Sequence, residues 1–399
     1  MKVLVCDDDP TSARTWVEQI ETVVGDGVSV ERLDDAVGAI QVLVDRKKAA
    51  AENGKFADDR PSLFDAVDIL VVDYDLILID TSGNRTTGEG VARLVKTYSC
   101  CNLVVVLNQF SKIDFDLTMT GHLDSWADVN IEARSVSEPR LWRSDVANAF
   151  APSYWMPLLE VAGARADYAK SLAGNLDVGI LESLGLKADD LEGISDRAFA
   201  FLSEKGKVLD DLGAVTVRGF LEMVLGKKDA DPLLASPPAF AARLATSRFA
   251  KWLDRAVLRP LDAMIDASHL LERRPYLGNA DAARLGDIEW WQGLRGKEAD
   301  ALREDVATAA RLEQVSALLG RDVYGIARLE TDAAANALAD AWDFAPTADV
   351  VFAEDSSRFV RRDSAQEFRA GFGNFNDRRF VEKLDGKTYG PTRRFAFGD

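Results

Sequence analysis

The chain has little of what most metal and nucleophilic sites are built from. Its 399 residues include three cysteines and two histidines. A structural zinc site takes four Cys or His ligands at short spacings, and no such pattern occurs. Cys6, Cys100 and Cys101 are too few for a disulfide framework. A Ser-His-Asp or Cys-His catalytic group would have to use His122 or His269, and His269 lies on a predicted helix where packing or capping is the usual role.

Long apolar runs and glycine-rich phosphate loops are also missing. No apolar run reaches the about 18 residues of a membrane-spanning helix. No GxxxxGK[ST] pattern occurs, and the first predicted strand lacks the glycine-rich turn of a dinucleotide site. The net charge of −18 disfavours binding to nucleic acid or to anionic membrane surfaces. Since MKVLV at the amino terminus predicts a strand rather than a signal peptide, we expect a cytoplasmic protein.

Two short apolar runs each end abruptly at carboxylates. The runs KVLV and DILVV are rich in β-branched residues and too short for helices, as is typical of strands buried in a parallel sheet. The acids that follow are Asp7, Asp8 and Asp9 after the first run, and Asp73 and Asp75 after the second. Because ligands of open parallel sheets bind beyond the carboxyl ends of the strands, these acids are predicted to share one pocket. Clustered carboxylates repel each other, so the pocket is expected to hold a hard cation such as Mg²⁺.

Strand and helix patterns alternate over residues 1–150. Ser12 to Val24 and Asp34 to Gly54 have helical periodicity, the second with Asp34 as its predicted cap. Further strands are predicted at GVSVERL, NLVVVLNQ and ADVNIEA, and a final helix begins near Ser137. This alternation predicts an α/β domain with a doubly wound, parallel five-stranded sheet and helices on both faces.

With these features, the N-terminal third resembles the receiver domain of bacterial response regulators. That family has an acidic pair at the end of its first strand and a phosphate-accepting Asp at the end of its third, which match Asp7, Asp8 and Asp73. TGEGVARLVK resembles the glycine-led helix that follows the acceptor. NLVVVLNQ resembles the fourth strand, with Asn108 at the position usually held by Ser or Thr.

The resemblance implies a role for each of these residues. Asp73 would accept a phosphoryl group from a histidine kinase or a phosphotransfer protein. Asp7, Asp8 and Asp73 would hold Mg²⁺, with the carbonyl of Asp75 completing its shell, and Asn108 would donate a hydrogen bond to the phosphoryl group. A carboxylate can be such a nucleophile when a metal neutralises the incoming charge.

Some features depart from the family. Its Lys at the end of the fifth strand has no counterpart, since no Lys occurs between Lys112 and Lys170. Arg134 is the nearest cation in the sequence and the candidate substitute, although Arg and Lys are not interchangeable. Two alternatives therefore stay open. One is a pseudo-receiver scaffold that is not phosphorylated, and the weaker one is a Mg²⁺-dependent phosphohydrolase with Asp73 as nucleophile and Asp75 as general acid.

Residues 151–345 are predicted to form an α-helical domain without strands. The apolar stripe of its strongest helix runs from Phe240 to Leu271, and Pro260 should kink it. No helix-turn-helix with a basic recognition helix is present, so this domain is expected to bind protein or to self-associate. The predicted helices are Asp189 to Leu209, Val215 to Leu225, Pro238 to Leu271, Ala299 to Leu319 and Thr331 to Trp342.

Residues 346–399 are predicted to be a C-terminal arm. From Asp355 onward there are ten Arg or Lys and seven Asp or Glu, and RFVRRDSAQEFRAGFGNFNDRRF interleaves Arg with Phe. One interpretation is base stacking with phosphate contacts. The favoured one is that the arm lies across the acidic body of its own chain or of a neighbour, because the rest of the molecule repels phosphates.

Together with these patterns, the resemblance to receiver domains implies an atypical response-regulator-like signalling protein rather than a turnover enzyme. Mg²⁺-dependent phosphoacceptance at Asp73 would control the helical protein-interaction domain.

Overall fold

The structure is a computed structural model of the chain. It describes residues 1–56, 61–81, 84–108, 114–115, 124–146, 150–202, 209–279, 282–332, 335, 349–368 and 378–389.

The N-terminal region contains the predicted parallel sheet. Its strands are β1 (Lys2–Cys6), β2 (Ser29–Arg32), β3 (Ile69–Asp73), β4 (Asp75–Thr81), β5 (Asn84–Thr87), β6 (Leu103–Asn108) and β7 (Val129–Glu132). Five of them pair in the order β2-β1-β3-β6-β7, and every pairing is parallel. The strand predicted at ADVNIEA is therefore the edge strand β7, as expected.

Alternate residues of the central strands face opposite sides, and both sides are buried, as in other parallel sheets. On one side Val5, Val71 and Val105 pack with helix α1 (Pro10–Val24) and with apolar residues that follow the sheet, namely Leu141, Trp142, Met156, Leu158, Val161 and Ala162. On the other side, the apolar residues pack with α2 (Ala36–Asn53), α3 (Gly88–Tyr98) and the helices of the later region. The sheet is thus a core layer with described helices packed on both of its faces.

Local capping explains where the first helices begin. The Asp9 carboxylate accepts hydrogen bonds from the backbone N of Thr11 and Ser12, at 3.0 and 3.2 Å, and caps α1. The second helix is capped by Asp35, so the prediction of Asp34 as its cap is wrong by one residue. It ends at Gly54, whose φ of 68° is the left-handed conformation that favours glycine.

One feature of this region was not predicted, and one prediction is wrong. After Asp73, β4 and β5 pair as an antiparallel hairpin before α3 begins. The helix expected from Ser137 is a single turn, α4 (Pro139–Trp142).

The region after residue 150 is mainly helical. Its helices are α5 (Leu158–Ala173), α6 (Ile180–Ser183), α7 (Asp196–Leu202), α8 (Val217–Leu225), α9 (Lys227–Leu234), α10 (Pro238–Trp252), α11 (Ala267–Arg273), α12 (Ala282–Leu285), α13 (Ile288–Gln292), α14 (Glu304–Ala310), α15 (Glu313–Leu319) and α16 (Ile326–Thr331). The predictions of continuous helices over 189–209 and 299–319 are wrong, since each segment is broken into short helices. Most of the helix predicted from Thr331 lies outside the described residues. None of the described helices is long and apolar enough to cross a membrane.

Pro260 ends the long apolar helix instead of kinking it. Helix α10 passes into a π-helical turn over Leu253–Leu258, and Leu261 then takes a φ of 56°. Proline has no N–H to donate and its ring clashes with the preceding turn, so the helix stops before it. The chain continues as strand β8 (Met264–Asp266), which pairs with β9 (Val323–Gly325). The prediction of a region without strands is therefore wrong.

The C-terminal segment forms a sheet where an arm was predicted. Its strands are β10 (Val350–Ala353), β11 (Arg358–Arg361), β12 (Gln366–Phe368) and β13 (Arg379–Val381), in the order β11-β10-β13-β12. Phe352 and Phe359 belong to the same apolar cluster as the sheet residues Leu4 and Leu70. The predicted boundaries at residues 150 and 345 stay predictions.

Candidate metal centre

Three carboxylates meet at the carboxyl edge of the parallel sheet. Strands β1 and β3 are adjacent and parallel, with Cys6 beside Val72, so the residues that follow them lie side by side. Oxygens of Asp7, Asp8 and Asp73 all lie within 4.8 Å of one another. Asp7 is 8 % exposed and Asp73 is 3 % exposed, while Asp8 is half-buried. Three of the five acids predicted to share a pocket therefore lie together, whereas Asp9 is exposed and caps α1, and the pocket itself stays a prediction.

The electrostatics of this cluster are unfavourable without a counter-charge. Burial raises the pKa of Asp7 to about 7, and the negative charge of Asp73 acts in the same direction. A hydrogen bond from the backbone N of Asp9 to Asp7 Oδ1, at 3.0 Å, opposes the rise. The other oxygen, Asp7 Oδ2, is buried without a hydrogen-bond partner among the described residues. Such an atom costs free energy unless something binds it.

These residues fit a hard divalent cation. Mg²⁺ is held in proteins through one or two carboxylates while it keeps several waters. Asp7, Asp8 and Asp73 supply closely spaced carboxylate oxygens. Burial raises the pKa of the neighbouring Cys6 thiol to about 12, and the Asp7 charge adds to this rise, so Cys6 stays a neutral thiol. The three clustered groups are all carboxylates, and such an all-oxygen donor set favours hard cations over metals that prefer thiolate ligands.

The other predicted site residues lie around this cluster. Asp75 begins β4, opposite Thr87, and is not among the three clustered carboxylates. The expected contact is through its carbonyl, which stays a prediction. Asn108 ends β6, half-buried, in register with Glu132 of β7. It therefore lies at the same edge of the sheet as Asp73.

Arg134 lies beside two acidic side chains that are not part of the carboxylate cluster. It follows β7, its side chain is 52 % exposed, and its Nε lies 3.4 Å from Asp114 Oδ1 and 3.9 Å from Glu132 Oε1. Lys387 of the C-terminal segment lies 4.0 Å from the same Asp114 oxygen. Arg134 is therefore already paired with acidic side chains, and its predicted contact with a phosphoryl group stays a prediction.

Gly88 is a site residue whose importance the sequence did not show. Its backbone N donates to Tyr74 O at 2.9 Å. A Cβ at this position would lie 2.3 Å from the carbonyl oxygen of Asp73. The helix α3 can therefore begin against the strand end only because residue 88 has no side chain. The TGEG motif marks a helix start, and only the fold reveals this close approach.

Sequence reasoning also missed a buried ionic cluster behind α3, here called the Asp128 cluster. Asp128 lies 2.5 Å from Lys96 Nζ and 3.1 Å from Arg165 Nη1. It also accepts a hydrogen bond from Ser247 Oγ at 2.6 Å. All four side chains are buried. Their positions are far apart in the chain, so no local pattern could have indicated them.

His269 lies in a second buried network, here called the His269 cluster. Its Nδ1 lies 2.8 Å from Asp266 Oδ2 and its Nε2 lies 3.3 Å from Glu354 Oε1, which accepts a hydrogen bond from Arg379 at 2.7 Å. Burial lowers the pKa of His269, but Asp266 and Glu354 outweigh it and raise the pKa to about 9. The network ties α11 to the C-terminal sheet, which accords with the structural role predicted for His269. His122 lies outside the described residues.

A polar cleft of about 730 Å³ lies elsewhere in the molecule. It is lined by residues of α4, α5 and α15, among them Arg140, Glu160 and Glu313. None of the clustered carboxylates lines it. The cleft and the acidic cluster are therefore separate features.

Comparison with known proteins found no relative of this chain. No family model matches the chain, and neither the curated proteins nor the solved structures contain a significant match. What is shown is an α/β region with a five-stranded parallel sheet, joined to a mainly helical region.

Proposed function

We propose that the chain is an atypical response-regulator-like signalling protein in which Asp73 accepts a phosphoryl group. The observation that carries the proposal is the convergence of Asp7, Asp8 and Asp73 at the ends of two adjacent parallel strands. The resemblance to receiver domains implies such a cluster, with an acidic pair at the end of the first strand and the phosphate-accepting Asp at the end of the third.

Each residue has a distinct task in the proposed reaction. A carboxylate oxygen of Asp73 attacks the phosphorus of a phosphohistidine or an acyl phosphate. A P–O bond to Asp73 forms as the bond to the donor breaks, and the donor leaves with the electron pair. Asp7 and Asp8 hold Mg²⁺, which neutralises charge on the phosphoryl oxygens when it is bound. Asn108 donates a hydrogen bond to one of those oxygens.

The partners follow from the resemblance to receiver domains. That resemblance implies a histidine kinase or a phosphotransfer protein as the donor of the phosphoryl group. The helical region, joined to the sheet through a shared core, is the output that binds a protein partner or a second copy of the chain. Nucleic acid is not an expected partner of a chain with a net charge of −18.

A pseudo-receiver scaffold is the second candidate, and the surroundings of β7 favour it. Arg134, which follows β7, lies against Asp114 and Glu132. In such a scaffold the acidic cluster would bind Mg²⁺ for stability or docking, without phosphorylation. The phosphohydrolase alternative is weaker, since its general acid, Asp75, does not join the carboxylate cluster.

Intact-mass analysis after incubation with acetyl phosphate and Mg²⁺ tests the proposal. We expect a single phosphoryl adduct in the wild type and none in Asp73→Asn. The matched control is Asp75→Asn, which changes a carboxylate two residues away, keeps the backbone carbonyl and should keep the adduct. An adduct that survives in Asp73→Asn contradicts the proposal. Mg²⁺ binding without any adduct favours the scaffold, and turnover of small phosphate esters that Asp75→Asn abolishes favours the hydrolase.

A further inference from the structure

Helix α3 contacts the candidate metal centre at its start and the helical region along its length. The backbone N of Gly88, the first residue of α3, donates a hydrogen bond to Tyr74 O. Because Gly88 has no side chain, its backbone lies directly against the carbonyl oxygen of Asp73. At the last turn of α3, Lys96 forms the buried ion pair with Asp128. The same helix therefore touches the strand end that carries Asp73 and the Asp128 cluster.

The segment 125–128 lies between α3 and α10. From the α3 side, Glu89 accepts hydrogen bonds from Ser125 Oγ, at 3.0 Å, and from Trp126 N. From the α10 side, Arg248 and Lys251 donate to Ser125 O at 3.1 and 2.9 Å. Each of these contacts is buried or half-buried. A displacement of α3 therefore requires the segment 125–128 to move as well.

Aromatic and ionic contacts complete the connection. The guanidinium groups of Arg93 and Arg248 each lie 5.3 Å from the centre of the Trp126 ring, one from α3 and the other from α10. Asp128 is bound to Arg165 of α5 and to Ser247 of α10. Its backbone N and its carboxylate both bond to Val104 of β6, which fixes the segment to the sheet.

From this arrangement we infer that α3 couples the acidic site to the helical region, so that cation binding at Asp7, Asp8 and Asp73 and the packing of residues 125–128 on α10 stabilise each other. The inference rests on the proposed function in that it takes the carboxylate cluster to be a cation site. Such coupling is reciprocal, because two linked equilibria must shift each other by the same factor. Loosening the Asp128 cluster therefore weakens Mg²⁺ binding, and Mg²⁺ slows local opening of the segment.

Two neighbouring hydroxyls of α10 allow a matched test. Ser247 Oγ donates to Asp128, whereas Thr246 Oγ1 donates to Ala242 O of its own helix, at 2.8 Å. Both residues are buried. Ser247→Ala and Thr246→Val each remove one buried hydroxyl, and only the first touches the Asp128 cluster. Glu89→Gln is a second variant, on the α3 side, for the case that Ser247→Ala does not fold.

Two measurements on the full chain test the coupling. Calorimetric titration measures the Mg²⁺ affinity, and hydrogen–deuterium exchange with and without Mg²⁺ measures local opening of residues 125–128. We expect Ser247→Ala to bind Mg²⁺ about fivefold more weakly than the wild type and Thr246→Val to bind it equally well. Mg²⁺ should slow exchange at residues 125–128 of the wild type, and less so in Ser247→Ala. Equal affinities in both variants, with protection confined to the ends of β1 and β3, overturn the coupling and leave the cation site intact. No Mg²⁺ binding by the wild type, or binding that Asp7→Asn leaves unchanged, overturns the cation site itself.

Discussion

The buried carboxylate of Asp7 is the side chain that most clearly implies a ligand. Without a cation, its charge is opposed by burial and by Asp73, which is why its pKa is raised. We expect Asp7→Asn to raise the stability of the Mg²⁺-free protein by about 1–3 kcal/mol, because it removes a buried like charge. The same change should abolish stabilisation by Mg²⁺. Thermal unfolding with EDTA and with Mg²⁺ measures both effects, and a variant that Mg²⁺ still stabilises would contradict the site.

Substitution of Gly88 tests whether α3 must begin directly against the backbone carbonyl of Asp73. Alanine ordinarily favours a helix over glycine by about 1 kcal/mol. At Gly88 the new Cβ would meet the Asp73 carbonyl, so we expect Gly88→Ala to destabilise the protein by about 2–4 kcal/mol. At Gly90, two residues later on α3, a Cβ would lie 3.5 Å from Thr87 Oγ1, an ordinary contact. Gly90→Ala should therefore be neutral or stabilising, and equal losses in both variants would refute the account of Gly88.

Side chains at strand ends were predictable, and side chains that meet from distant parts of the chain were not. Asp7 and Asp73 could be placed together because each ends a short apolar run, and parallel strands end at one edge. Asp128 precedes β7 without any local pattern that distinguishes it from a turn residue. Its partners, Lys96, Arg165 and Ser247, come from three separate helices, so only the folded chain brings them together.

Among helices and strands, the Asp128 cluster joins α3, α5 and α10. Removing one partner of a buried ion pair leaves the other charge uncompensated, which costs about 3–5 kcal/mol. We expect Asp128→Asn to lose that much stability in urea unfolding. The exposed pair of Asp177 and Arg218, with side chains 67 % and 40 % exposed, is the control, and Asp177→Asn should have no measurable effect. If Asp128→Asn unfolds at the wild-type midpoint, the cluster does not hold these elements together.

Element types were easier to predict than element ends. The buried strands and α1 have strong local signals, namely β-branched runs and the Asp9 cap. The stripe through Pro260 continues at helical spacing because Met264 and Ile265 are buried as well, although they lie on strand β8. The apolar pattern alone therefore could not show that the chain had passed from a helix to a strand. Strands β10 to β13 are only three or four residues long, and β11 and β13 carry Arg beside their apolar residues, which hid these strands within a segment predicted to be an arm.

For the molecule as a whole, the His269 cluster links the helical region to the C-terminal sheet in a pH-dependent way. The folded pKa of His269, about 9, exceeds its ordinary value of 6.5. The folded state therefore binds the proton more tightly, and the stabilisation is complete below about pH 6.5 and is lost as the pH rises through 9. We expect His269→Gln to be less stable than the wild type at pH 6, with the difference shrinking towards pH 10. Thermal unfolding of both proteins across this range measures it, and a difference that grows with pH would contradict the protonated state.

Anomalous diffraction from crystals soaked in Mn²⁺ tests most directly whether Asp7, Asp8 and Asp73 together bind one divalent cation. Mn²⁺ prefers the same oxygen ligands as Mg²⁺ and has a usable anomalous signal. We expect one strong peak in contact with oxygens of all three carboxylates, absent from crystals of Asp7→Asn. Well-ordered carboxylates without a peak, or a peak only in the polar cleft beside Glu160 and Glu313, would contradict it.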